Sequence, residues 1–125
     1  MEAVKPQRFG IGETDKNVLV QRLELVQKDL KRLRVHLSSY RCEPTTYSLF
    51  ERIEFLRKGL DNLSQKNSET IYMLKEKKKM VDDYFDEYME RAKQQLSEFN
   101  KLQNSVDEYV VRVLGTRSDK DEIPI

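Results

Sequence analysis

Apolar residues recur at steps of four and three along most of the chain, which is the spacing of one face of an α-helix. The first series keeps these steps without interruption at Leu19, Leu23, Val26, Leu30, Leu33, Leu37 and Tyr40. This is the heptad pattern of a coiled-coil seam. Further apolar residues, which let the helix contact more than one neighbour, widen the face at Val18, Val20, Leu25 and Val35. The pattern predicts a first helix over about residues 14–41, within a bundle.

Pro44 interrupts the helical pattern after the first series. Because proline disfavours helical backbone in the residue before it, the segment around Pro44 is typical of a turn. A second heptad series follows at Leu49, Ile53, Leu56, Leu60 and Leu63. We predict a second helix over about residues 46–64, folded back antiparallel on the first.

The segment 62–70, NLSQKNSET, contains residue types that compete for the hydrogen bonds of a helical backbone. Continuing the heptads from Leu63 places the polar Asn67 and Thr70 in the seam, whereas the next apolar residue is Ile71. Two successive steps of four indicate either a turn or a stutter in one long helix. We favour a turn at residues 64–68. The predicted fold is all-α: an elongated antiparallel bundle or coiled coil of three helices, of which the third, over about residues 68–114, is the longest.

The third series leaves more apolar surface than its neighbours can cover if the turn lies near residue 66. Its seam positions are Ile71, Leu74, Val81, Phe85, Tyr88, Ala92, Leu96, Phe99, Gln103, Val106, Val110 and Val113, with Leu102 and Tyr109 as alternates. An uncovered apolar stripe on a helix is not stable in water and indicates self-association or a partner. We predict that this overhang is a protein-binding surface formed by Phe99, Leu102, Val106, Val110 and Val113.

The two ends of the chain lack this periodicity and combine glycine or proline with charged residues. We interpret residues 1–13 as a flexible head and residues 115–125 as a flexible tail. Residues 14–114 then form one helical domain, which agrees with a length of 125 residues.

Charge is balanced overall, with a net charge of +1, but it is unevenly distributed. Residues 1–60 hold 12 basic and 8 acidic side chains, and residues 61–125 hold 11 and 14. The basic residues concentrate in the first helix at Lys28, Lys31, Arg32 and Arg34, which we predict as a second protein-binding surface. Opposite charges on the first and third helices favour their lying side by side, or the same pairing between two chains.

The segment 73–91, MLKEKKKMVDDYFDEYMER, places lysines beside carboxylates. Such a mixture repels a phosphate backbone as much as it attracts it, so a nucleic-acid site is disfavoured. Asp82, Asp86 and Glu90 share one helix face, but no histidine is near to form the Glu-x-x-His pairs of a metal site in a bundle. We interpret the segment as the solvated face of a structural helix.

Candidate chemistry elsewhere is equally limited. The single cysteine, Cys42, is either a reactive thiol beside Arg41 or, as we favour, a buried and inert residue in the turn. The glycines at residues 10 and 12 are not followed by the Lys-Ser pair of a phosphate-binding loop. We therefore expect no catalytic, cofactor or metal site, and no small-molecule substrate.

No apolar run approaches the roughly 18 residues of a membrane span, and the first residues lack the apolar core of a signal peptide. With one cysteine, a reducing compartment fits best, so we expect a soluble protein of the cytoplasm, with the nucleus as the other compatible compartment. The expected function is a protein–protein interaction module: a scaffold or adaptor subunit of a larger trafficking or cytoskeletal assembly, binding other helical proteins or itself. The alternative is a peripheral membrane module that uses the basic first helix.

Overall fold

The protein is a bundle of three long helices. The computed structural model describes residues 4–76 and 82–122, with side chains for residues 16–75 and 84–116. Helix α1 spans Val4–Leu37, α2 spans Tyr47–Glu76 and α3 spans Asp82–Glu122, and a short 3-10 helix, Tyr40–Cys42, follows α1. The three long helices pack against one another, and α3 is the longest. The predicted fold class is therefore confirmed.

Ion pairs between the helices establish the directions in which they run. Glu24 and Arg34 of α1 contact Lys75 and Asp61 of α2, respectively, so the two helices are antiparallel. Lys66 of α2 forms an ion pair with Glu98 of α3, and Thr45, just before α2, forms a hydrogen bond with Thr116 of α3. Helices α2 and α3 are therefore antiparallel as well. The bundle thus has an up-down-up topology in which α1 and α3 are parallel.

Helices α1 and α3 reach nearer to the two chain ends than predicted. Helix α1 begins at Val4 rather than near residue 14, and ends at Leu37 rather than near residue 41. Pro6 is compatible with this start because it lies in the first turn, where a backbone N–H has no intrahelical partner anyway. Helix α3 continues to Glu122 rather than ending near residue 114. Residues 1–3 and 123–125 lie outside the described residues, and the flexibility of the head and tail stays a prediction.

The seam of α1 agrees with the sequence pattern except at its end. Leu19, Leu23, Val26, Leu30 and Leu37 are buried, and Leu33 is half-buried. Tyr40, predicted as the last seam residue, is 73% exposed. That prediction was wrong because the α-helix ends three residues earlier, at Leu37, so the helical period no longer directs Tyr40 toward the core.

The predicted turn at residues 64–68 was also wrong. These residues lie inside α2, and the chain changes direction after Glu76. Leu63, Asn67, Thr70 and Leu74 are all at most 3% exposed. Their steps of four, three and four continue the heptad series, so no stutter occurs either. The apolar series only looked broken because two of its seam residues are polar.

The seam of α3 differs from its prediction for the same reason. Its core positions are Ala92, Gln95, Phe99, Leu102, Val106, Tyr109 and Val113, which alternate steps of three and four. Gln95 is buried, whereas Leu96 is half-buried beside it. Gln103, predicted in the seam, is exposed. Choosing Leu96 for its hydrophobicity introduced a false step of four.

A layer of polar residues divides the core into two apolar clusters. The larger cluster includes Leu56 and Val106, and the smaller one is built around Leu23. Between them, Gln95 donates a 3.0 Å hydrogen bond from Nε2 to the hydroxyl of Thr70. The amide of Asn67, fully buried in the same layer, has no hydrogen-bond partner among the described residues. Because buried polar groups are costly without partners, this layer is a weak point of an otherwise apolar core.

Candidate interaction surface

The predicted overhang of α3 is covered by the rest of the bundle. Phe99, Val106 and Val113 are buried, and Leu102 and Val110 are half-buried against the larger core cluster. Because the chain turns after Glu76 rather than near residue 66, residues 45–66 lie beside residues 98–116 of α3 and cover them. The expectation of an uncovered stripe at these five positions was therefore wrong. They hold the three helices together.

The predicted basic residues of α1 lie at the surface. Lys28, Lys31 and Arg32 are exposed and Arg34 is half-buried. Arg32 contacts Asp29 at 2.8 Å, and Arg34 contacts Asp61 of α2 at 3.1 Å. Lys28 and Lys31 make no ion pair with any described residue. The binding role of all four stays a prediction, and Lys28 and Lys31 are the most available to a partner.

Helix α1 carries more positive charge than its own acids neutralise. Residues 16–37 contain six lysines and arginines but two acids, Glu24 and Asp29. Glu24 is bound by Lys75 of α2 at 3.2 Å, and Asp29 is bound by Arg32. The predicted side-by-side packing of α1 and α3 is present, but the ion pairs between helices join α1 to α2 and α2 to α3. Arg22, Lys28 and Lys31 are exposed and form no ion pair with a described residue.

Large apolar side chains are exposed on the side of α1 that faces α3. Leu25 is 60% exposed and lines a groove of about 270 Å³ with Leu96 and Phe99. Val18, 41% exposed, lies seven residues before Leu25 and therefore on the same face of the helix. On α3, the half-buried Met89 lies seven residues before Leu96. Two apolar rows with heptad spacing thus border the groove between α1 and α3, and we call this surface the α1–α3 groove.

Polar side chains bridge the other two grooves. The α1–α2 groove is bridged by Gln27, whose Nε2 donates to the carbonyl of Ser64 at 3.1 Å and to the hydroxyl of Ser68 at 3.0 Å. The α2–α3 groove is bridged by the ion pair of Lys66 with Glu98. Between residues 18–35 of α1 and residues 84–106 of α3, by contrast, no described side chains form an ion pair or hydrogen bond with each other. The α1–α3 groove can therefore accept an apolar partner without breaking such a bridge.

The charged segment 73–91 has the solvated face that we predicted, as far as it is described. Asp86, Glu87 and Glu90 are exposed, and Glu87 accepts a 3.0 Å ion pair from Arg91. Arg91 also lies 4.7 Å from the centre of the Tyr88 ring. No group of three potential metal ligands occurs among the described residues. Residues 77–81, which include three of the lysines and Val81, lie outside the described residues.

Cys42 is buried in the 3-10 helix, as expected, whereas the inertness of its thiol stays a prediction. Its Sγ lies 3.8 Å from Nε2 of the exposed His36. The backbone carbonyl of Cys42 accepts a hydrogen bond from Tyr109, a contact that sequence reasoning did not foresee. The cysteine thus belongs to the structural connection between α1 and α2.

No protein-family model, curated protein or solved structure matches this chain. Within the described residues, none of the helices combines the length and the hydrophobicity needed to cross a bilayer. The α1–α3 groove was missed at the level of sequence because Leu96 was placed in the core. Its signal was nevertheless present in the seven-residue spacing of Val18 with Leu25 and of Met89 with Leu96.

Proposed function

We propose that this chain is a non-enzymatic protein–protein interaction module, a helical scaffold or adaptor subunit of a larger intracellular assembly of the trafficking or cytoskeletal type. The observation that carries the proposal is the α1–α3 groove, where Val18 and Leu25 face solvent at heptad spacing. Complete burial of a fully exposed leucine contributes roughly 1.5 to 3 kcal/mol, and Leu25, at 60% exposed, leaves part of this free energy unused. A partner that covers the row recovers part of this free energy.

The dimensions of the bundle support the same function. Helix α2, with 30 residues, is about 45 Å long at 1.5 Å per residue. Its neighbours run alongside it, so the grooves of the bundle are long and shallow rather than enclosed. A long groove bordered by apolar residues suits an α-helix, which buries its apolar face along several turns.

A membrane-surface module is the alternative. The lysines of α1 and the exposed Val35 on its outer side would favour an anionic bilayer. The apolar rows at Leu25 and Leu96, however, border a groove between two helices, which is a better fit for a helix than for a flat headgroup layer. Protein binding is therefore the primary proposal.

Site-specific photo-crosslinking tests the proposal. A benzophenone amino acid replaces Leu25 in the full chain, and the control carries it at Val111, an equally apolar and exposed position on α3 outside the groove. We expect discrete protein adducts from position 25 that are absent from position 111, and mass spectrometry identifies them. Lipid adducts alone, together with salt-sensitive binding to anionic vesicles, would establish the membrane alternative. Absence of protein adducts at position 25 would contradict the proposal.

A further inference from the structure

We propose that the α1–α3 groove binds an acidic amphipathic helix of another protein, which lies along the groove as a fourth helix of the bundle. This inference rests on the proposed function and specifies the chemistry of the partner. It is carried by two features of the groove: the spacing of its apolar rows and the charge that surrounds Leu25.

The spacing of the rows determines the shape of the partner. Val18 and Leu25 on α1 and Met89 and Leu96 on α3 each lie seven residues apart. A helix whose apolar residues follow a heptad repeat contacts both rows once in every two turns, as helices in a coiled coil do. The core residues Val26 and Phe99 also line the groove. An apolar side chain of the partner therefore reaches a surface that is continuous with the core.

The charge around Leu25 indicates that the partner is acidic. Arg22 and Lys28 lie three residues before and after Leu25, both are exposed, and neither forms an ion pair with a described residue. The acids of this part of α1, Glu24 and Asp29, are already engaged by Lys75 and Arg32. Carboxylates that flank the apolar face of the partner would contact Arg22 and Lys28. Charge complementarity of this kind fixes the register of the partner and accelerates its association.

The α3 side of the groove limits where the acids of the partner can lie. Asp86 and Glu90 are exposed near Met89, and Lys93 and Asn100 flank Leu96. The acidic residues of the partner are therefore expected along the α1 side, opposite Arg22 and Lys28, rather than along the Met89 end of α3. The partner is therefore expected to carry its carboxylates on one flank of its apolar face, the flank that lies along α1.

A second copy of this chain fits the groove less well. A two-fold dimer through the groove would bring Arg22 and Lys28 of one copy near the same residues of the other, and like charges would repel. A contact between the groove and the acidic part of α3 in another copy would be head-to-tail, and such contacts form open chains unless they close into a ring. A different protein is therefore the favoured partner.

Designed peptides provide the test. The acidic probe is a helix of about three heptads with leucine at a and d, glutamate at g and glutamine at e, so that its carboxylates lie on one flank of the apolar face. The basic probe has lysine in place of glutamate and is otherwise identical. Fluorescence anisotropy with the intact chain is expected to show binding of the acidic probe and at least about tenfold weaker binding of the basic probe.

Variants of the chain locate the contact. Leu25→Glu should weaken binding of the acidic probe at least about tenfold, because it places a carboxylate on the apolar row. Val111→Glu, which makes the same change in charge on α3 away from the groove, should leave binding unchanged. Arg22→Glu combined with Lys28→Glu should weaken binding of the acidic probe and strengthen binding of the basic one. All these side chains are exposed, and circular dichroism checks that the variants keep the helical content of the parent.

The outcomes separate this inference from the proposed function. Equal, Leu25-dependent binding of both peptides would overturn the acidic partner but leave the groove as an interaction surface. Failure of both peptides, with protein crosslinks still formed at position 25, would overturn the helical acidic partner alone. A dimer of the free chain that Leu25→Glu dissociates would assign the groove to a second copy instead. Binding of the acidic probe that is insensitive to Leu25→Glu would place the site elsewhere.

Discussion

The hydroxyl of Tyr109 donates a 2.6 Å hydrogen bond to the backbone carbonyl of Cys42. Both residues are buried, and they are 67 positions apart in the chain. The bond therefore attaches the 3-10 helix, which connects α1 to α2, directly to α3. It fixes the point from which α2 returns along the bundle.

Replacing Tyr109 by phenylalanine tests this attachment. The substitution keeps the ring but leaves the buried carbonyl of Cys42 without this donor, which should lower the free energy of unfolding by about 1 to 3 kcal/mol in urea denaturation. Tyr72→Phe is the control, because Tyr72 is exposed on α2 and its substitution should change stability by less than about 0.5 kcal/mol. Equal effects of the two substitutions would show that the Tyr109 bond contributes nothing specific.

Two substitutions in the polar layer should change the free energy of unfolding in opposite directions. Asn67→Leu replaces a buried amide that lacks a described partner with an apolar side chain of similar size, and it should raise the free energy of unfolding by about 1 kcal/mol. Thr70→Val should lower it by about 1 kcal/mol or more, because the Nε2 of Gln95 then loses its acceptor. Both values come from urea titrations monitored by circular dichroism. Destabilisation by Asn67→Leu would mean that the amide is hydrogen-bonded in solution.

Gly59, inside α2, tests how closely the helices pack. A Cβ atom at this position would lie 3.2 Å from Cδ1 of Leu102, which is the end of a flexible side chain and can move. Gly59→Ala should therefore gain most of the roughly 1 kcal/mol of helix propensity in thermal or urea unfolding. Gly115→Ala is the matched control, since nothing lies within 4 Å of its added Cβ. A clear loss of stability at residue 59, with a gain at residue 115, would show that Leu102 cannot move.

Two neighbouring leucines of α1 should differ in their contribution to the core. Leu30 is buried, whereas Leu33 is only half-buried. Leu30→Ala should cost about 2 to 5 kcal/mol of unfolding free energy, the range for a closed core site, and Leu33→Ala should cost less. If Leu33→Ala proved the more damaging of the two in urea titrations, the assigned rotation of α1 about its axis would be wrong.

The fold class followed from the sequence because most core positions are apolar and keep the helical period. Leu49, Ile53, Leu56, Leu60 and Leu63 were all placed correctly, and so was the antiparallel return of α2. The length of α2 was not predictable in this way. Hydrophobicity reports which residues avoid water, whereas the heptad is a geometric repeat that continues through polar residues. Asn67 and Thr70 occupy heptad positions although they are polar, so the apolar series is interrupted where the helix continues.

Placing the turn at residues 64–68 also led to the wrong candidate site. With the second helix ending near residue 64, Phe99 and Val106 had to be uncovered, and they were assigned to a partner. Because the turn follows Glu76 instead, they lie beside residues 45–66 and are buried, and the unoccupied apolar surface lies along Leu25 and Leu96. Lys28, Lys31 and Arg32 are exposed as expected, because charge at a solvated position does not depend on where a neighbouring helix ends, and their binding role stays a prediction.

Methyl NMR of the intact chain, titrated with the acidic peptide, tests the helix-binding groove most directly. If the peptide binds in the groove, the methyl resonances of Val18, Leu25 and Leu96 shift progressively with peptide concentration. Those of Val111, which lies 15 residues after Leu96 on α3 and does not line the groove, should stay in place. Shifts centred on Val111, or on Leu102 in the α2–α3 groove, with Leu25 unaffected, would show that the peptide does not bind in the α1–α3 groove.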